Sequence, residues 1–174
     1  MMAGLKTPRV AVAAVDDGAL RTVGYLAKVS GFEGDAVIVR PKVTKNDGVK
    51  TVWCKVSCDR YRDAYVAATG QKEGEGIQPL DDNNNVFAYC ADVDHVYPRS
   101  WARQNGYDDY WLMLYPVMGN VNRSAGASIE KNGFKHYSSR QVPAHGIIWA
   151  VDYQIMKMLN HPVYEEKAAV KLFK

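Results

Sequence analysis

Two short segments in the second half of the chain carry side chains that together can hydrolyse a phosphodiester bond. Asp94 stands next to His95 in the first segment, and Asn122 stands next to Arg123 in the second. Carboxylate and amide oxygens bind a hard divalent cation, and a neutral imidazole takes a proton from water. The guanidinium group of arginine presents a fork of donors that fits a phosphate. These residue types therefore predict a site with one metal ion, a general base and a phosphate contact.

The wider pattern is Val-Asp-His-Val-x-Pro-x-Ser at residues 93–100, followed by a strand-like run and then by Asn-Arg-x-x-Gly. It resembles the HNH branch of the His-Me finger (ββα-metal) nucleases over a short part of the chain. The resemblance implies a first strand that ends at the histidine, a second strand, and a helix that presents the last metal ligand near its start. It also implies that His95 is the general base, that Asp94 and Asn122 are metal ligands, and that Arg123 contacts phosphate.

Two positions of this pattern leave alternatives open. The middle asparagine of the family, which steadies the base, falls at Met113, and a thioether cannot orient an imidazole. A backbone carbonyl, Asp108 or Asp109 are the alternatives for that task. Asn120 is the alternative to Asn122 as the second metal ligand. We prefer Asn122 because it directly precedes the arginine.

The geometry of an extended strand limits how the first segment can work. Neighbouring side chains on a strand point to opposite faces, so Asp94 and His95 would diverge in a strictly extended conformation. The strand must therefore bend or end at His95. Pro98 is well placed to force that change, because proline interrupts strand pairing.

Further candidate contacts to substrate are basic or aromatic side chains near the two segments. The basic ones, besides Arg123, are Arg99, Lys131 and Arg140. A basic rim beside a metal site suits a polyanion, and a solvated surface is the alternative. Arg103 is a further candidate phosphate contact, and pairing of Arg99 or Arg103 with Asp108 or Asp109 is equally open. Tyr97 and Trp101 can stack on a base, although buried packing fits Trp101 better. The net charge of +3 argues for no partner by itself.

The cysteines and the apolar runs bound the setting in which the chain works. Three cysteines (Cys54, Cys58 and Cys90) form no C-x-x-C pair, which favours a reducing compartment over a disulfide framework or a zinc knuckle. No apolar run approaches membrane-spanning length, and the N-terminus lacks the pattern of a secretory signal. We expect action in a cytoplasm, either the cell's own or that of a target cell reached through a secretion system, with no membrane partner.

The start of the chain has two interpretations. Thr7 and Pro8 can cap and begin a helix that runs to about residue 29. The apolar residues 10–12 fit a short strand equally well.

A β-hairpin and a helix are predicted next. Residues 36–39 and 51–56 are rich in β-branched side chains, and residues 45–48 between them have turn composition. Asp59 then has the position of an N-cap for a helix that ends at Gly70.

The second half is predicted to hold two strands and two helices after a linker at residues 71–85. Residues 86–96 and 111–115 have strand patterns, and Gly119 begins the turn into a short helix. Residues 144–159 carry an apolar stripe with helical spacing and predict the longest late helix.

These elements predict an α+β fold, in which a ββα-metal finger is embedded in a small mixed domain with an N-terminal helix and a β-hairpin. Residues 1–85 are expected to pack on or cap a module formed by residues 86–174. The resemblance implies a metal-dependent endonuclease that cleaves DNA with little sequence specificity. Its cofactor would be one divalent cation, with magnesium as the first candidate and manganese as the second.

Other functions use the same residues. An RNase would share the site and differ only in substrate. A noncatalytic module that binds nucleic acid or protein would keep the finger as a scaffold, and Met113 favours that interpretation. If the chain is a nuclease, compact modules of this kind resemble antibacterial toxin domains with a cognate immunity protein as partner; a nuclease of a phage or mobile element is the alternative.

Overall fold

The computed structural model describes residues 9–42, 50–71, 91–125, 143 and 145–159. Within these ranges the chain forms seven strands and five helices. The strands are β1 (Ala11–Ala14), β2 (Gly24–Lys28), β3 (Ala36–Pro41), β4 (Thr51–Lys55), β5 (Ala91–His95), β6 (Trp111–Met118) and β7 (Ile147–Trp149). The helices are α1 (Asp17–Val23), α2 (Tyr61–Thr69), α3 (Arg99–Gln104), α4 (Gly119–Ala125) and α5 (Asp152–Met158).

The seven strands join one curled sheet in the order β2-β3-β4-β6-β1-β7, and β5 also pairs with β6. Each of these pairs is antiparallel. The predicted α+β class is confirmed at this level, as a mixed fold with an antiparallel sheet and few helices. Strands from residues 1–85 and from residues 86–174 share the sheet, because β6 lies between β4 and β1.

Strand β6 is the centre of the sheet. One of its edges pairs with β4, and the other pairs first with β1 and then with β5. Leu114 is opposite Val52 on one side and opposite His95 on the other. The end of β5 is therefore held against the middle of the best-paired strand.

Two apolar clusters cover the two faces of this sheet. One contains Leu20 from α1, Val121 from α4 and Tyr153 from α5, and we call this side the α4–α5 face. The other contains Ala64 and Tyr65 from α2, and we call it the α2 face. Burial of these side chains drives the layers together, at about 25 cal/mol per Å² of apolar surface.

The predicted long N-terminal helix is wrong. Residues 11–14 form β1, only Asp17–Val23 is helical, and the chain returns to strand at Gly24. The alternative of a short strand near residues 10–12 is closer to the structure. Asp16 begins α1, since its carboxylate accepts a hydrogen bond from the Ala19 N–H at 2.7 Å.

The predicted helix at residues 144–159 is also wrong in extent. Residues 147–149 form β7, and only Asp152–Met158 is helical. Ile147 is opposite Ala14, and Trp149 is opposite Ala11. Pairing with β1 therefore decides the conformation of a segment whose apolar spacing also suits a helix.

The central predictions agree better with the structure. Strands β3 and β4 are antiparallel partners, as expected of the hairpin, although residues 43–49 of its turn lie outside the described part. Helix α2 ends at Gly70, which adopts a left-handed conformation and donates its N–H to the Val66 carbonyl. Asp59 does not cap α2, because Arg60 stands at the cap position without a side-chain bond. Most of the predicted linker lies beyond the described residues.

Strand β6 starts at the predicted residue and continues to Met118, and α4 begins at Gly119 as expected. Strand β5 ends at His95, also as expected. Within the ranges that the structure describes, none of the helices has the length and apolar character needed to cross a membrane.

Replacing Leu114 with alanine should strongly destabilise the fold, because this buried side chain lies where β4, β6 and β5 meet. We expect Leu114→Ala to lower the free energy of unfolding by about 2–5 kcal/mol, as measured by urea denaturation. Leu159→Ala is the matched control, because Leu159 is 70% exposed and should change stability by less than about 0.5 kcal/mol. Equal effects of the two substitutions would contradict the described packing.

Candidate functional site

Strand β5 carries three of the polar side chains that can do chemistry. Its pairing with β6 stays regular from Ala91, opposite Met118, to His95, opposite Leu114. Side chains therefore alternate along β5. Asp92 and Asp94 point to the α4–α5 face, whereas His95 points to the α2 face. The strand ends at His95, but it does not bend so as to bring Asp94 and His95 together.

Asp94 is held by helix α5. The ammonium nitrogen of Lys157 lies 2.5 Å from Oδ2 of Asp94, and the side chain of Lys157 is only 1% exposed. Gln154, one turn earlier on α5, donates from Nε2 to the carbonyl of Val96 at 2.9 Å. Because Gln154 is also fully buried, α5 is joined to the end of β5 by two polar contacts inside the protein.

The amide of Asn122 meets the other carboxylate of β5. Its Nδ2 donates to Oδ2 of Asp92 at 3.4 Å, a long hydrogen bond that orients the amide. The guanidinium of Arg123 and the Asp92 carboxylate converge on Gly119, at the start of α4. A Cβ atom at Gly119 would lie 3.1 Å from Nη1 of Arg123 and 3.3 Å from Oδ2 of Asp92. Glycine leaves the space in which these side chains come together.

Asn120 and Asn122 are not equivalent in this arrangement. The side chain of Asn120 is exposed, and its Oδ1 accepts the N–H of the next residue, Val121. Asn122 is partly buried and faces β5. The geometry therefore favours Asn122 over Asn120 as a partner for the carboxylates of β5.

His95 lies in a different environment, beneath α2. Its side chain is 5% exposed, and its ring centroid is 4.3 Å from that of Tyr61. Its Nε2 atom is buried and makes no hydrogen bond with any residue that the structure describes. Burial lowers the pKa of His95 to about 3, and the positive charges of Arg99, Lys157, Arg103 and Arg62 add to the effect. The imidazole is therefore neutral at physiological pH.

No side chain in the described part takes over the orienting role of the missing asparagine at Nε2 of His95. Met113 is buried, and its carbonyl accepts the N–H of Val96 at 3.0 Å. Asp108 and Asp109 have exposed side chains. The ring of Tyr61 packs on the imidazole, and no local sequence pattern predicts this contact.

Arg99 and Arg103 pair with Asp59. Each donates from Nη2 to Oδ1 of Asp59, at 2.6 and 2.8 Å. The Nε of Arg99 also donates to the carbonyl of Val56 at 2.8 Å. The sequence left Asp108 and Asp109 as candidate partners, and the structure instead shows the acid before α2. Lys131 and Arg140 lie outside the described residues.

The aromatic and sulfur side chains near these groups are packed inside the protein. Tyr97 is buried and meets Trp101 edge to face, with ring centroids 6.0 Å apart. Cys54 and Cys58 are free and buried, and burial is the main cause that raises the pKa of both thiols. Protonated, buried thiols are poor nucleophiles and poor metal ligands.

The α4–α5 face carries oxygen atoms of the kind that bind hard cations, from Asp92, Asp94 and Asn122. Asp92 and Asn122 are in contact there, and Asp94 pairs with the ammonium of Lys157. Among the residues that the structure describes, no group of three His, Cys, Asp or Glu side chains is arranged to hold a metal ion. Sequence reasoning missed Asp92, although its two-residue spacing from Asp94 signals a shared face.

Comparisons of the chain with family models, with curated proteins and with solved structures found no match. The residues and their arrangement are therefore the basis for a proposed function.

The lowered pKa of His95 predicts a loss of stability in acid. Between about pH 6.5 and pH 3 the unfolded chain binds a proton at His95 that the folded chain does not. The free energy of unfolding therefore decreases as the pH is lowered through this range. The His95 contribution is at most about 1.4 kcal/mol per pH unit. We expect urea denaturation to show a steeper dependence of the free energy of unfolding on pH for the wild type than for His95→Gln. The difference between the two slopes is the contribution of His95. Parallel pH profiles of the two proteins would contradict the burial of a neutral imidazole.

The Asp94–Lys157 pair predicts strong energetic coupling. Removing either charge should lower the free energy of unfolding by about 3–5 kcal/mol, because a charge remains in a buried place. Asp94→Asn combined with Lys157→Met should cost about 1–3 kcal/mol less than the sum of the single changes.

The exposed pair of Arg60 and Asp63, 3.1 Å apart, is the control for this double-mutant cycle. Its coupling should stay below about 1 kcal/mol. Additive effects of Asp94→Asn and Lys157→Met would show that the buried pair does not form in solution.

Proposed function

We propose that the chain is a metal-dependent endonuclease of the HNH, ββα-metal type, which hydrolyses phosphodiester bonds in DNA. The observation that carries the proposal is the order of elements around the motif. Strand β5 ends at His95, the antiparallel strand β6 follows, and α4 begins directly after β6. Asn122 and Arg123 are then on the first helical turns beside β5, as that type of site requires.

The donor set is the second support. Asp94 and Asn122 would hold one divalent ion, magnesium or manganese, through oxygen atoms, which are the ligands that such ions prefer. The contact with Asp92 turns the Nδ2 end of the Asn122 amide toward β5 and does not use Oδ1, the atom that would coordinate a hard cation. The ammonium of Lys157 beside Asp94 shows that this carboxylate accommodates a cation. When bound, the ion would offset negative charge on the phosphate.

The remaining side chains have roles that follow from their chemistry. His95 accepts a proton from the attacking water, which requires the neutral imidazole found in the fold. Arg123 is exposed at the end of the site and donates to phosphate oxygens. Contacts of this kind hold the nucleic-acid backbone and carry no sequence information, so cleavage is broadly nonspecific.

One feature of the structure sets a condition on this mechanism. Asp94 and His95 lie on opposite faces of β5, and Lys157 already neutralises Asp94. Cleavage therefore requires a local change at the end of β5 that brings Asp94 and His95 to the same phosphate. Negative charge of a bound polyanion would also raise the pKa of His95, which burial and nearby cations have lowered.

The same feature favours a second candidate, a noncatalytic module that binds nucleic acid. A buried imidazole and a carboxylate paired with lysine are both stable as structural groups. Such a module would bind nucleic acid but would not cleave it, whichever metal is supplied.

Cleavage assays with site variants test the proposal. Supercoiled plasmid DNA and structured RNA are incubated with the protein in magnesium, manganese or EDTA. We expect metal-dependent cleavage of DNA by the wild type. His95→Ala and Asn122→Ala should each lose at least about 100-fold in rate, the scale of a lost general base or essential ligand.

Asn120→Ala is the matched control for Asn122→Ala, because the exposed Asn120 bonds only to its neighbouring backbone. It should keep the rate of the wild type, while circular dichroism verifies that all variants are folded. Cleavage of RNA alone would change the substrate to RNA, and retained cleavage by folded His95→Ala would remove His95 from the mechanism. An inert wild type that still binds DNA would establish the noncatalytic module.

A further inference from the structure

Two arginines of α3 converge on one oxygen atom at the surface of the α2 face. Nη2 of Arg99 and Nη2 of Arg103 lie 2.6 and 2.8 Å from the same Oδ1 of Asp59. Arg99 and Arg103 are four residues apart on a helix, so their side chains lie on the same side of it. Their like charges repel, and the shared carboxylate offsets that repulsion.

The two sides of this contact are held with different strength. Arg99 is mostly buried, and its Nε is fixed to the carbonyl of Val56. The side chain of Asp59 is 78% exposed, and it accepts hydrogen bonds from both arginines. Ion pairs to an exposed carboxylate are weak, so a competing anion can replace it. The fold therefore holds Arg99 in place, Arg103 is 44% exposed beside it, and the anion between the two is exchangeable.

The chemistry of the contact suits a phosphate better than a carboxylate. A phosphodiester offers two non-bridging oxygens that can accept from two guanidinium groups at once, whereas Asp59 uses one oxygen for both. The hydrogen bonds from Arg103 and Arg99 also hold the pKa of Asp59 below its usual value. The two arginines thus favour a partner that is ionised at physiological pH.

The location connects this contact with His95. The ring of Tyr61 packs on His95, and the guanidinium carbon of Arg99 lies 5.5 Å from the centroid of that ring. Arg62 lies 5.3 Å from the same centroid. An anion bound by the arginines of α3 would therefore lie one side chain away from the buried imidazole.

We propose that Arg99 and Arg103 form a binding site for a backbone phosphate of nucleic acid, and that Asp59 occupies this site in the free protein until the phosphate displaces it. The site rests on the proposed function for the identity of the polyanion. Asp59 is an internal competitor for substrate, and Arg103 binds the phosphate together with Arg99.

The test is binding of a fluorescently labelled DNA oligonucleotide in EDTA, followed by anisotropy. Asp59→Asn should bind DNA about three- to tenfold more tightly than the wild type, because two surface ion pairs no longer compete with the phosphate. Asp63→Asn is the matched control, because it removes the same charge from an exposed aspartate of α2 that pairs with Arg60. It should change the affinity less than about twofold.

Two further variants complete the experiment. Arg103→Gln in the Asp59→Asn background should abolish the gain, and it should reduce the slope of log affinity against log salt concentration by about one. Asp59→Ala should repeat the gain of Asp59→Asn without any side-chain acceptor. Thermal unfolding verifies that each variant is folded.

Equal gains for Asp59→Asn and Asp63→Asn would overturn the proposal in favour of general charge, as would a gain that survives Arg103→Gln. Absence of DNA binding by every variant would also overturn it. Because binding is measured in EDTA, it is independent of cleavage. If the variants show the expected differences in DNA binding but the wild type cleaves no DNA in any metal, the phosphate site is supported and only the nuclease is refuted.

Discussion

The pairing of β5 with β6 determines where the candidate functional side chains can act. An antiparallel ladder that stays regular up to His95 assigns each residue of β5 to one face of the sheet. The carboxylates of Asp92 and Asp94 consequently face α4 and α5, and the imidazole of His95 faces α2. A shift of this register by one residue would exchange the faces and place both carboxylates in the cluster beneath α2.

Helix α5 reinforces that assignment through polar contacts in an otherwise apolar layer. Lys157 reaches Asp94, and Gln154 reaches the carbonyl of Val96 just beyond the strand. A buried ion pair adds little net stability compared with well-packed apolar side chains, because desolvation of both charges opposes their attraction. Its effect is instead directional: it fixes which residue of β5 faces α5, as the ladder also does. The short helix is therefore coupled to the residue that the motif assigns to metal binding.

The strands around the motif could be predicted because their local patterns and their long-range pairing agree. Strand β6 alternates as a strand should, and Gly119 marks the change to helix α4. The end of the sheet formed by β1 and β7 could not be predicted. These two strands are short and apolar, and they pair although they are far apart in the sequence. Their spacing also fits a helix, and only the partner strand decides between the two.

For the site, residue types identified Asp94, His95 and Asn122, but not the groups that surround them. Lys157 and Tyr61 come from segments far along the chain, and nothing in their local sequence points to β5. Asp59 has the position and type of a helix cap, yet it binds the arginines of α3. In each case a tertiary contact outweighs the local preference.

The electrostatics beneath α2 determine what could bind there. A neutral imidazole lies among cations, because Arg62, Arg99, Arg103 and Lys157 all oppose its protonation. Arg99 and Arg103 share one exposed carboxylate, so a bound phosphate would replace a single negative charge with an anion that meets both guanidinium groups. The same anion would lower the cost of charging His95, since an opposite charge nearby favours the protonated form. A phosphate bound by the arginines of α3 would therefore make the imidazole of His95 easier to protonate.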